Sequence, residues 1–302
     1  MSVLVFGSAN IDETYTVPHM VTRGETLAAT AVTRRSGGKG LNQAIAFARA
    51  GAEVCFAGMV GTDGQFLLDE LVAAGVDVTR VRVLPDERTG VAVIQNDAAG
   101  DNCILLYGGA NRRMTPAYVR EVLDACRPGD LVVLQNEINL PGEIIEGALK
   151  RGLRVAVNPS PMDEAVPVDL LERVDYLLVN EVEAAQLLGP DMPSGGTWAD
   201  VAQALGSCFP QTTIALTLGG EGSMLIRDGA VVVRQPALSH EVVDTTAAGD
   251  TFTGYLLTAL ERGDAPETAM RLAATASAIT VSRPGAAPSI PLLTECEALP
   301  EK

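Results

Sequence analysis

Asp244-Thr245-Thr246-Ala247-Ala248-Gly249-Asp250-Thr251-Phe252-Thr253-Gly254 lies between a short apolar run and a long helical pattern. Its middle holds only small residues, so a ligand can approach the main chain closely. A helix starting near Gly249 aims free N–H groups and the positive end of its dipole at that ligand. An anion fits there, most simply a phosphate. Asp250 then sits in the first turn beside it, where a carboxylate is out of place unless it accepts a proton from an attacking hydroxyl. The plain alternative is a turn followed by an acid that complements the dipole.

Upstream of this stretch the chain alternates short apolar runs with helical patterns. Val3 to Phe6 reads as a buried strand running into Gly7-Ser8-Ala9-Asn10-Ile11-Asp12. Leu131 to Leu134, Val155 to Val157, Tyr176 to Val179 and Ile214 to Leu216 repeat the pattern, each closing on polar or glycine residues. Continuous apolar runs of this length predict parallel strands covered on both faces. Ligands bind beyond the carboxyl ends of such strands, so Asn10, Asp12, Glu137, Asn158, Asn180 and Thr217 are expected along one edge of one sheet. Thr14 to Val17 and Thr26 to Arg34 alternate like solvent-facing strands, and Thr89 to Ile94 with Asn102 to Tyr107 reads as a hairpin joining them in a small separate sheet. A second hairpin, Gly222 to Arg227 with Ala230 to Gln235, turns at Asp228-Gly229. Helical patterns open at Gly37-Gly38-Lys39-Gly40-Leu41-Asn42-Gln43, at Gln65, at Thr115-Pro116, at Thr251 and at Ala265.

Composition narrows the function. The 302 residues carry a formal net charge of -16, which argues against nucleic acid and anionic membrane surfaces as partners. A neutral sugar remains admissible. The lysines are Lys39, Lys150 and Lys302, so one in a glycine-rich loop stands out. His19 and His240 are too few for histidine-based catalysis. Five scattered cysteines without paired spacing predict reduced, mostly buried thiols in a cytosolic protein. No apolar run approaches a membrane span, and Ser2 to Gly7 is too short for a signal peptide.

Each candidate residue has two readings. Gly37-Gly38-Lys39-Gly40 is not a Walker A loop, since no Ser or Thr follows Lys39 at the needed place. It is either a turn with an exposed lysine or a loop closing with Asn42 over a polyol. Asn10 and Asp12, two apart in an extended segment, are turn residues or a pair holding neighbouring hydroxyls. Glu137 is a loop acid or a hydroxyl acceptor. Asn180 and Glu183 are a cap and first-turn acid, or order phosphate and Mg²⁺-bound water. Thr217-Leu218-Gly219-Gly220-Glu221-Gly222 is a turn, or a loop packing on a nucleotide.

With these residues in hand the chain resembles the ribokinase-like sugar kinases, essentially end to end. Two motifs carry the likeness, Gly37-Gly38-Lys39-Gly40-Leu41-Asn42-Gln43-Ala44 and Asp244 to Gly254. The resemblance implies a doubly wound, mostly parallel α/β fold in one domain over 1–302, with a small β-sheet lid from about 13–36 and 89–107 that commonly pairs lids in a homodimer. It implies ATP-dependent phosphorylation of the 5-hydroxyl of D-ribose, with a nucleoside, another small sugar, or a catalytically inactive sugar-binding regulator as alternatives. Asp250 matches the catalytic base, and the N–H groups of Ala247, Ala248, Gly249 and Asp250 match the anion hole. Asn10, Asp12, Gly38, Lys39, Asn42 and Glu137 match sugar-holding positions. Asn180, Thr217, Gly219, Gly220, Gly222 and Gly249 match nucleotide contacts, and Glu183 a position linked to Mg²⁺. Asp244, Thr246, Thr280, Arg283, Gly285 and Ser289 match a monovalent-cation site, usually for K⁺. Arg112 and Arg113 stand where small residues are commoner, which keeps a phosphosugar substrate open.

Overall fold

The computed structural model describes residues 2–99, 101–163, 168–193, 195–238 and 241–298. His240 and Lys302 lie outside them. In chain order the elements begin with β1 (Ser2–Phe6), β2 (Asn10–Thr16), β3 (Ala31–Gly37), α1 (Lys39–Arg49), β4 (Glu53–Ala57), β5 (Met59–Gly61) and α2 (Gln65–Ala73). There follow β6 (Arg82–Leu84), β7 (Gly90–Asn96), β8 (Asn102–Tyr107), α3 (Pro116–Asp124), β9 (Leu131–Gln135), α4 (Pro141–Lys150) and β10 (Arg154–Asn158). The rest is α5 (Val168–Leu171), β11 (Tyr176–Asn180), α6 (Glu181–Leu188), α7 (Trp198–Cys208), β12 (Thr213–Thr217), β13 (Ser223–Arg227), β14 (Ala230–Gln235), α8 (Ala248–Arg262), α9 (Pro266–Val281) and α10 (Leu293–Glu297).

Eight strands form the main sheet in the order β14-β13-β12-β11-β10-β9-β1-β4, parallel from β4 to β12 and antiparallel across β12-β13-β14. Successive side chains of a strand point to opposite faces, and β1 shows the consequence. Val3 and Val5 pack with the helices α1, α8 and α9, whereas Leu4 and Phe6 pack with α3, α4 and α7. The sheet is therefore doubly wound, with a dry layer on each face, as the apolar runs predict. Strand β1 lies between β4 and β9, where the winding reverses, and a crevice opens at the carboxyl ends of strands on such a switch point.

The small sheet has the order β3-β2-β7-β8. It corrects the sequence reading in two places. Asn10 and Asp12 belong to β2 of this sheet, not to the edge of the main one. Pairing of β3 starts at Ala31 opposite Thr16 and runs to Gly37, so 26–30 are not strand. The partner sets the limit: β2 stops two residues before Pro18, which has no N–H for a ladder. The cysteines need a correction too. Only Cys296 is buried, while Cys103 and Cys208 are exposed. Among the described residues, no helix is long and apolar enough to cross a membrane.

Candidate functional site

Helix α8 begins as expected. Its N-cap, Ala247, takes the left-handed conformation at φ 62°, which a residue with a Cβ adopts only when its surroundings impose it. Side chains brace the turn: Thr253 Oγ1 of the same helix donates to the Gly249 carbonyl at 2.9 Å and Ser277 Oγ of α9 to the Ala248 carbonyl at 3.0 Å. First-turn N–H groups have no intrahelical acceptor. A Cβ at Gly249 would meet no atom within 4 Å, so the backbone here faces open space. Ala247, Ala248, Gly249 and Asp250 line a cleft with Lys39, Asn158, Asn180, Glu183, Thr217 and Thr245. Its cavity volume is about 230 Å³, below the ~300–1,000 Å³ typical of sites for drug-sized ligands.

Asp250 is almost wholly buried, yet its carboxylate is satisfied. Asn42 Nδ2 donates to Oδ2 at 3.1 Å and Gln43 Nε2 to Oδ1 at 3.0 Å. Both donors come from the first turns of α1, which is brought close by glycines. A Cβ on Gly40 would overlap the backbone of Gly7 and Ser8, so α1 seats directly on the end of β1. Asn42 Oδ1 is buried without a partner, an acceptor available to a donor such as a hydroxyl.

Lys39 opens α1 and lines the same cleft. Burial works to lower its ammonium, but the carboxylates of Asp250, Glu137 and Glu183 together outweigh it and hold Lys39 above the ordinary lysine range. Glu137 accepts from the Ser8 hydroxyl and from the Lys39 N–H at 3.1 Å. Asn10 Oδ1 accepts from Asn111 Nδ2 at 2.7 Å, and Asn111 Oδ1 accepts from the Ala9 N–H at 3.0 Å. Asp12 is strongly perturbed: burial, reinforced by the nearby Glu137 charge, pushes its carboxyl up to about 7. Gly37 faces it, where a Cβ would overlap the carboxylate. The structure thus gathers Asn10, Asp12, Lys39, Asn42, Glu137 and Asp250 around one place, though the small sheet, two helices and the loop after β9 supply them.

The nucleotide-side candidates divide. Asn180 and Glu183 form a capping box, with Asn180 Oδ1 accepting from the Val182 and Glu183 N–H groups and Glu183 Oε2 from the Asn180 N–H, each at 2.9 Å. Their structural reading therefore holds, and both still line the cleft. Thr217 also lines it, while Gly219 and Gly220 make a 3₁₀ turn beyond β12. Gly222 has φ 100° and sits against the Gln235 carbonyl, so the turn itself requires glycine. A group of three or more His, Cys, Asp or Glu side chains able to hold a metal is absent among the described residues.

Asp244 Oδ1 accepts from the Thr246 N–H at 2.9 Å and hydroxyl at 2.6 Å, and Oδ2 from the Gly285 N–H at 2.9 Å. Burial pushes its carboxyl up, but these bonds and the Arg35 charge more than reverse the effect and keep it below the usual range. An ionised carboxylate is an oxygen ligand that a hard cation accepts, but both oxygens of Asp244 are already engaged by Thr246 and Gly285 and the Arg35 charge lies nearby. Thr280, Arg283 and Ser289 have side chains committed elsewhere, to Thr251 and Ala276, to Glu295, and to Ala286 respectively. Only their backbone oxygens remain for such a site. The sequence reading missed Arg35, whose guanidinium lies against Gly285, and the supporting side chains Ser8, Gln43, Asn111 and Gln135. Arg112 and Arg113, singled out as possible phosphate binders, are engaged by the Ile138 carbonyl and by Glu87.

Three comparisons place this geometry among known proteins. The family model for pfkB family carbohydrate kinases matches residues 1–293. A ribokinase of Staphylococcus aureus is 36% identical over 299 residues, covering 97% of both chains. The structure of Arabidopsis thaliana ribokinase complexed with ribose and ATP superposes with a TM-score of 0.85 at 32% identity, covering 98% of this chain and 97% of the other. A ribokinase from Cryptococcus neoformans in complex with ADP gives 0.83 at 33% identity, with 98% of each chain covered. Matched by the family model from residue 1 to 293, the chain belongs to the pfkB family of carbohydrate kinases.

Proposed function

We propose that this chain transfers the γ-phosphoryl group of ATP to the 5-hydroxyl of D-ribose. The observation that carries the reading is Asp250, a buried carboxylate in the first turn of α8, clamped by two amides and next to an open backbone cradle. The likeness to the ribokinases supports it over the whole length. Asp250 takes the proton of the attacking hydroxyl. The N–H groups of Ala247, Ala248, Gly249 and Asp250, with the helix dipole, stabilise charge on the moving phosphoryl group. Lys39 adds a positive charge facing both Asp250 and the phosphate side. Asn10, Asp12, Gly38, Asn42 and Glu137 hold the sugar, and the small sheet acts as a lid that excludes water. Asn180, Thr217, Gly219, Gly220 and Gly222 shape the nucleotide side.

Mg²⁺, bound to the nucleotide, would supply charge neutralisation of the phosphates. Glu183 would reach it only through water, in keeping with the few protein ligands Mg²⁺ takes. K⁺ would sit at Asp244, Thr246 and Gly285, with the backbone of Thr280, Arg283 and Ser289. We assign the chain to the cytoplasm and to a single domain, and its lid to the interface of a homodimer. Strand β8 supports the last point: it is an edge strand on which Ile104, Leu105, Leu106 and Tyr107 are all exposed.

The test is an ADP-release assay over pentoses, hexoses, nucleosides and phosphosugars. Ribose should give the highest kcat/KM. A nucleoside or phosphosugar as best substrate would overturn the assignment. Tight ribose binding without ADP release would instead favour a sugar-binding regulator. In the same assay Asp250→Asn should keep ribose binding and lose roughly 10²–10⁴-fold in kcat, the share a positioned base supplies.

A further inference from the structure

Gln43 is fully buried and does not line the cleft, yet it touches the residue we take for the base. Its Nε2 donates to Asp250 Oδ1 at 3.0 Å and to Asn158 Oδ1 at 3.3 Å. Its Oε1 accepts from Gln135 Nε2 at 2.6 Å. One amide on α1 thus ties together the start of α8, the end of β10 and the end of β9. Buried amides are costly unless both ends are paired, and here both are. The terminal torsion of an aspartate is broad, so hydrogen bonds rather than rotamer preference decide the plane of its carboxylate. Asn42 fixes one oxygen. Gln43, fully buried and outside the cleft lining, fixes the other.

We propose that Gln43 is a positioning residue for the phosphoryl transfer, setting the carboxylate plane of Asp250, and that Gln135 holds Gln43 in the orientation this requires. The inference rests on Asp250 being the base. It separates two jobs within one motif: Asn42 keeps an unpartnered Oδ1 for a substrate hydroxyl, whereas both ends of the Gln43 amide are taken up by protein groups. Methionine matches the length of glutamine but cannot bridge Asp250, Asn158 and Gln135.

The experiment compares Gln43→Met, Gln135→Met, the double variant and Asp250→Asn, using kcat, the KM for ribose and for ATP, and calorimetric ribose binding. Gln43→Met should lower kcat by roughly 10–100-fold, the scale of a misplaced reacting group, with both KM values within about threefold of wild type. Gln135→Met should give a smaller loss of the same kind. The double variant should be no worse than Gln43→Met within about twofold, because residues acting through one contact are not additive. Unchanged kcat in Gln43→Met, a loss confined to KM, or losses that multiply would overturn the proposal. Should Gln43→Met not fold, Gln135→Met decides alone: lower kcat at unchanged KM supports it and wild-type turnover rejects it. Near wild-type turnover in Asp250→Asn would remove the base and this inference with it. An inactive Asp250→Asn beside a fully active Gln43→Met would reject only the role of Gln43.

Discussion

Ribose binding should tighten as pH rises through 7, and Asp12 is the reason. Its carboxyl is pushed up to about 7 by burial and by the charge of Glu137, from an ordinary value near 4. Sugar hydroxyls donate to an ionised carboxylate, so the sugar prefers the deprotonated form. Affinity then scales with the ionised fraction: the dissociation constant carries a factor of one plus 10 to the power (7 − pH). That factor is about 11 at pH 6, 2 at pH 7 and 1.1 at pH 8, a change of roughly tenfold across the range. Binding at pH 7 should release about half a proton, readable by calorimetry in two buffers of different ionisation enthalpy. The stability of the free protein moves the other way. A carboxyl whose folded value is raised favours the fold below about pH 4, and that contribution is lost as pH climbs through 7. At pH 8 the cost is at most about 4 kcal/mol, from three pKa units. Asp12→Asn should therefore melt higher than wild type at pH 8, bind ribose more weakly and lose the pH dependence. A wild-type dissociation constant that stays flat between pH 6 and 8 would refute the reasoning.

Three further outcomes can be measured. Glu261, at the far end of α8, pairs with Arg154 and accepts from Tyr176 at 2.5 Å, where the strands begin and the cleft is distant. Glu261→Ala should lose about 2–3 kcal/mol in urea unfolding, the scale of a broken buried pair discounted for the part-exposed Arg154, with KM unchanged. Replacing choline chloride by KCl should raise kcat/KM through the Asp244 site, and equal rates in KCl, NaCl and choline chloride would remove the cation from the scheme. Leu105→Asp, on a side chain 70% exposed at the β8 edge, should turn a dimer into a monomer in sedimentation. An unchanged sedimentation coefficient would place the interface elsewhere.

The sequence was most informative where one residue's environment is local. Continuous apolar runs placed the parallel strands from β9 to β12 because those strands are covered on both faces. The small residues before Asp250 placed the start of α8 because backbone approach needs no distant partner. It was silent where pairing decides. Asn10 and Asp12 follow β1 so closely that they look like its end, yet they open a strand whose partners, β3 and β7, lie far along the chain. Three-residue strands such as β5 and β6 are too short to show a period. Helix α7 did leave a signal: Thr197 and Asp200 make a capping box, which fits the Thr-x-x-acid pattern of a helix start.

Gln43 marks the limit of such reading. It stands next to Asn42 in a glycine-led motif, and its contacts with Asp250 and Asn158 span 207 and 115 residues. No periodicity or spacing announces an amide bridge of that reach. Two carboxylates of the candidate site also part company only in three dimensions. Asp250 receives two amide donors, whereas Asp12 meets burial and the charge of Glu137. A carboxylate already held by donors keeps a fixed plane for the incoming hydroxyl. One kept short of donors waits for the hydroxyls of the sugar to supply them. On the proposed function, these opposite surroundings suit one aspartate to chemistry and the other to recognition. Swapping those surroundings, not the residues, would be the way to exchange the roles.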